Sequence, residues 1–82
     1  MPMSPTVEFR MVGTSWVEVR GPHGRVLMSE VMHKGERKSF NQSRISVTFG
    51  NARAVRLMTN GMPFDLSGKG TVRRVNVMRG GD

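Results

Sequence analysis

His23, His33 and Asp65 are the side chains whose types could combine in metal binding or proton transfer. A zinc site needs several sulfur, imidazole or carboxylate ligands, and a nucleophilic triad needs a base within reach of an activated serine or cysteine. Cysteine is absent, few carboxylates stand near either histidine in sequence, and no serine lies in a nucleophile motif. The histidines therefore read as solvated loop residues and Asp65 as a turn or strand-end acceptor. Gly68-Lys69-Gly70-Thr71 has the composition of a phosphate loop but lacks the upstream glycine spacing and the strand-then-helix context. It reads as a hairpin loop. Asn41-Gln42-Ser43 fits the glycosylation acceptor pattern, a short match of high chance frequency. No catalytic residue, metal site or cofactor is expected.

That leaves the basic residues. Thirteen Lys and Arg against six Asp and Glu give a formal charge of +7 and a pI near 11.6. Such a field favours anionic partners, although a solubility-tuned surface would also account for it. Arg44, Arg56 and Arg74 fall on the outward positions of their segments, and Arg37, Lys38 and Arg73 extend the patch if those segments are neighbours. A solvated face is the simpler reading of the same residues. A nucleic-acid surface is the alternative, a basic β-barrel contacting backbone phosphates. The aromatics are few, however: Phe9, Trp16, Phe40, Phe49 and Phe64. Phe9 and Phe49 point inward by parity, which leaves little for the stacking platform of single-strand binders, and the aromatic, glycine-rich RNA-binding signatures are missing.

The elements that must carry these residues are strands. Ile45, Val47 and Phe49 alternate with Arg44, Ser46 and Thr48, the period of a strand with one wet face. Gly50-Asn51-Ala52 interrupts the pattern, which resumes at Val55 and Leu57 and closes at Asn60-Gly61, a turn dipeptide tolerant of positive φ. Upstream, Val7, Phe9 and Met11 share one parity, and Val17 and Val19 share another with Trp16, Glu18 and Arg20 opposite. Gly21-Pro22-His23-Gly24 turns the chain. Arg25 to Met32 is too continuously apolar for clean alternation and is expected to be a strand irregular near Ser29-Glu30. Phe40 is expected to anchor the short polar segment after Lys34-Gly35-Glu36.

Pro63 cannot donate to a ladder, so Met62 to Leu66 reads as an edge. Near Arg73-Arg74 the apolar phase slips, which a β-bulge explains. Trp16 and Phe49 are the rings whose truncation would cost most if both are buried.

No window has helical periodicity, and turn signals recur at short intervals. The expectation is an all-β domain, a small antiparallel sandwich or barrel of about seven short strands. Its 82 residues leave no room for a second core. Residues 1–5, with two prolines, are expected to be a flexible leader or cloning remnant, 6–79 the domain, and 80–82 a frayed tail. No apolar run reaches the length of a membrane span, and Met1 to Pro5 lacks the order of a signal peptide, so the chain is expected to be soluble.

Taken in order, Ser15-Trp16-Val17-Glu18-Val19, Gly24 before Val26-Leu27, Lys34-Gly35-Glu36, Phe40, Phe49-Gly50-Asn51-Ala52 with Val55, Asn60-Gly61, Asp65-Leu66 and Val72-Arg73 resemble the C-terminal domain of RodZ-type proteins. These are single-span bacterial membrane proteins of the cell-elongation machinery. The resemblance covers about Thr6 to Met78. It implies an immunoglobulin-like β-sandwich on the outer face of the cytoplasmic membrane, non-enzymatic, meeting envelope proteins or anionic envelope components in cell-shape maintenance, with no small-molecule substrate. The family's cytoplasmic helix-turn-helix domain and its span have no counterpart in these residues, so membrane association would come only through a span outside this chain. The quoted residues have folding reasons: glycines for turns at positive φ, asparagines that bond their own backbone, and an indole with large apolar area.

Overall fold

A computed structural model describes residues 4–66 and 72–79. Among the described residues eight strands form: β1 (Val7–Met11), β2 (Ser15–Arg20), β3 (Val26–Met32), β4 (Arg37–Phe40), β5 (Arg44–Phe49), β6 (Val55–Thr59), β7 (Met62–Phe64) and β8 (Arg73–Met78). Two antiparallel four-stranded sheets result, ordered β4-β1-β6-β7 and β3-β2-β5-β8, and they pack as a small β-sandwich. Among the described residues no helix is long and apolar enough to cross a membrane.

The alternation explains the sandwich. Val7, Phe9 and Met11 of β1 with Val55 and Leu57 of β6 line the inner face of the first sheet. Val17, Val19, Ile45, Val47, Phe49, Val75 and Val77 line that of the second. Phe9 meets Phe49 edge-on across the interior with ring centroids 5.4 Å apart, and Phe40 stacks on Phe9 at 6.4 Å. Phe40 thus anchors β4, as its isolation in a polar segment predicts.

The stretch from Arg44 to Gly61 is divided between the sheets: β5 belongs to one and β6 to the other. A 3-10 turn at Ala52–Ala54 makes the crossing, and the Val12 N–H donates to the Ala54 carbonyl at 2.7 Å. Asn60 (φ 50°) and Gly61 (φ 80°) both adopt positive φ in the β6–β7 turn. The Asn60 side-chain amide donates to the Met78 carbonyl at 2.9 Å, tying that turn to the end of the opposite sheet. Pro63 lies on β7, an edge strand, where its missing N–H does no harm.

Three expectations are corrected. Trp16 is 38% exposed and lies outside the core, because it shares the outward parity of Glu18 and Arg20 on β2. No bulge occurs near Arg73-Arg74: β8 pairs with β5 in unbroken register from Phe49↔Arg73 to Arg44↔Met78. Val72 precedes the strand and is exposed, so the phase slip came from including it. The register shift in β3 is opposite Val19/Arg20, where Leu27 is skipped, and Ser29 and Glu30 pair regularly. The loop 68–71 lies outside the described residues.

Candidate functional site

The histidines are apart from any ligand set. His23 occupies the 3-10 turn after β2 at φ 64°, and His33 follows β3, its backbone N–H donating to Glu36 Oε1 at 2.7 Å. Among the described residues no group of three His, Asp or Glu is placed to hold a metal. Asn41 lies between β4 and β5, where its carbonyl accepts from Arg79 Nη1 at 3.2 Å.

The six basic residues singled out in the sequence do not form one patch. Arg37, Lys38 and Arg56 belong to the first sheet, and Arg44, Arg73 and Arg74 to the second, so the sandwich separates them. On the second sheet, Arg74 is opposite Thr48 and its Nε donates to Thr48 Oγ1 at 3.3 Å. Arg44 is opposite Met78. Arg73 and Lys38 pair with Phe49 and Phe9, the inward positions, and reach solvent because β8 and β4 are edges.

The first sheet makes a tighter arrangement. Register places Arg37 of β4 opposite Arg10 of β1, and Arg10 opposite Arg56 of β6. Three exposed guanidinium side chains therefore stand in one row across adjacent strands, with neighbouring Cβ atoms about 4.5 to 5.5 Å apart. The next row on this face carries Ser39, Glu8, Met58 and Pro63. Among the described residues no carboxylate comes within ion-pair distance of Arg10, Arg37 or Arg56; the one ion pair found is Arg20 with Glu18 on the other sheet.

Arg10 was missed as a candidate in the sequence. Its outward parity was visible, but nothing in the chain order says that β1 lies between β4 and β6.

Two depressions share this row. A hollow of about 300 Å³ is bounded by Glu8, Arg10, Arg37, Arg56 and Met58. Beside it runs a trench of about 650 Å³ whose apolar lining includes Leu57, Pro63, Phe64 and Leu66, with Arg53 and Asp65 also on its walls. Arg10, Arg56 and Met58 border both and form the ridge between them.

A family model described as the RodZ C-terminal domain matches residues 8–76, from β1 into β8. The chain belongs to this family. No curated protein and no solved structure matches. RodZ C-terminal domains are in general non-catalytic structural and interaction domains, and membership points to a RodZ-like role in cell shape. In this RodZ C-terminal domain the whole arginine row falls inside the matched segment.

The row has a measurable consequence for stability. Like charges directly opposite on a sheet are destabilising, by about 0.2 to 1 kcal/mol per pair, and salt screens exposed charges. Arg10→Gln removes the central charge from two such pairs. The variant is expected to melt above the wild type at low ionic strength, with the gap closing as salt is added. A variant that melts lower at every salt concentration would show that Arg10 stabilises the sheet instead.

Proposed function

We propose that this domain is a non-enzymatic interaction module on the outer face of the bacterial cytoplasmic membrane, through which a RodZ-like protein engages an envelope partner during cell-shape maintenance. The family relationship supports the cellular role, and the outer-face location is what the resemblance to RodZ-type proteins implies. One observation of this chain supports the mode of action: Arg37, Arg10 and Arg56 form an exposed row of positive charge in which no ion pair is seen among the described residues, with Glu8 the one carboxylate bordering the hollow they share. A fold that tolerates such repulsion on one sheet face gains from an anionic surface laid against it.

These 82 residues contain no cysteine, so once any cysteine elsewhere in the full-length protein is replaced, a single introduced thiol makes the location testable. Glu30 is exposed on β3, on the sheet opposite the arginine row. Glu30→Cys in the full-length protein is expected to react with a membrane-impermeant maleimide in intact cells. Labelling only after lysis would overturn the outer-face assignment. In cells depending on the full-length protein, the double variant Arg10→Glu, Arg37→Glu is expected to widen or round the cells, while Arg44→Glu, a reversal on the other sheet, leaves shape unchanged. Equal behaviour of the two would remove the arginine face from the function.

A further inference from the structure

We infer that the ridge of Arg10 and Arg56 is a docking site for an acidic, apolar-anchored peptide segment of a partner protein, a deepening that rests on the interaction role proposed above. The two depressions differ in chemistry and share that ridge. The hollow is cationic on three sides, and its fourth polar group is the carboxylate of Glu8. The trench is mainly apolar, with Phe64, Leu66 and Pro63 contributing to its lining. An extended chain crossing the ridge would set carboxylates against the guanidinium groups and put an aromatic or aliphatic side chain into the trench. Guanidinium forks suit such carboxylates because they bind them bidentately.

The same geometry weighs against a uniform polyanion. A phosphodiester polymer or nucleic-acid strand has a negative charge at every repeat, so filling the hollow would bring one against Glu8. A peptide avoids this by carrying a hydroxyl, amide or lysine at that position. A bare phosphate chain would also leave the apolar trench unused. Phe64, 37% exposed, and Met58 are the side chains that an anchor would cover. Edge strand β7 bounds this side of the sheet, so among the described residues no strand would have to be displaced for a chain to enter from it.

The test is fluorescence anisotropy with the full 82-residue chain at physiological ionic strength. The probe is a short fluorescein-labelled peptide in which glutamates flank a leucine and a phenylalanine. A matched peptide has serine in place of both apolar residues. Oligothymidylate and phosphatidylglycerol vesicles are titrated in parallel.

The apolar-anchored peptide is expected to bind, and Arg10→Glu and Arg56→Glu are each expected to weaken it by roughly tenfold or more. Arg44→Glu, the same charge change on the far sheet, should leave affinity within about twofold, since a rim charge distant from the contact acts mainly through screened steering. The serine peptide should bind roughly tenfold more weakly than the anchored one to the wild type, a readout that needs no protein variant.

Equal affinity for the two peptides, or equal losses from Arg10→Glu and Arg44→Glu, would overturn the dock and leave only bulk charge. Tighter binding of oligothymidylate or of the vesicles, lost with Arg10→Glu, would overturn it in favour of a phosphate-binding face. If no peptide binds while Arg10→Glu, Arg37→Glu still deforms cells, the dock fails and the envelope role stands. If the peptide binds as described while Glu30→Cys is protected in intact cells, the dock stands and the outer-face role fails.

Discussion

Phe49→Ala is expected to remove about 3 to 5 kcal/mol of stability, the usual range for deleting a buried aromatic ring. The ring is fully buried and belongs to β5, the strand between β2 and β8. Its edge meets Phe9, which belongs to the other sheet, and Phe9 in turn carries Phe40. One truncation therefore opens a cavity at the contact between sheets and loosens the anchor of β4. Native domains hold only about 5 to 15 kcal/mol in total, and one this small is near the lower end. Much of the variant population should be unfolded at body temperature.

Trp16→Ala provides the contrast. The indole is larger, but it stands on the outer face of its sheet, opposite exposed Val31, so its loss leaves no cavity and is expected to cost about 2 kcal/mol, from the area it does cover. Urea denaturation of both variants measures the difference directly. Equal midpoints would mean that Phe49 is not the joint between the sheets.

The two rings show what kind of information the sequence carries. Parity was readable in β2 and β5 because each has one wet face, and Trp16 already alternated with Val17 and Val19. The expectation of a costly Trp16 rested on residue type, and position outweighs type: an indole on an outward position covers the sheet without entering the core. Pro63 and Phe40 were placed correctly because each has a single local consequence, a missing donor and an isolated apolar anchor. Strand ends were harder. Val72 continues the apolar run before β8 without pairing, and Leu27 is skipped in register within a run whose apolar residues hide the slip.

Neighbourhood was not readable. The row Arg37, Arg10, Arg56 comes from segments far apart in the chain, and it exists only because β1 pairs with β4 on one side and β6 on the other. Local alternation specifies which way a side chain points; the sheet order that gathers such side chains is decided by non-local pairing. The same distinction accounts for the six expected basic residues dividing between two faces. Outwardness was correct for Arg44, Arg56 and Arg74, but adjacency required knowing that β5 and β6 part company at Ala52.

That parting depends on a hydroxyl, and Ser15→Ala is expected to cost about 1 to 2 kcal/mol because it leaves a part-buried backbone donor, the Asn51 N–H, unmatched. Ser15 begins β2 and is almost fully buried. Its Oγ accepts the Asn51 N–H at 2.9 Å and donates to the Trp16 carbonyl, also at 2.9 Å. Asn51 immediately precedes the 3-10 turn that takes the chain from the second sheet to the first. Alanine fills nearly the same volume, so little packing changes and the lost hydrogen bond dominates. Amide exchange at Asn51 should accelerate more than exchange in the middle of β5, because the opening is local to the crossing. Thr48→Ala, which removes a hydroxyl on the outer face of β5 where Arg74 is its partner, should stay within about 0.5 kcal/mol of wild type. If Ser15→Ala proves no more costly than Thr48→Ala, with unchanged exchange at Asn51, then burial of Ala52 in the core and packing of Ala54 against Gly13 hold the crossing instead.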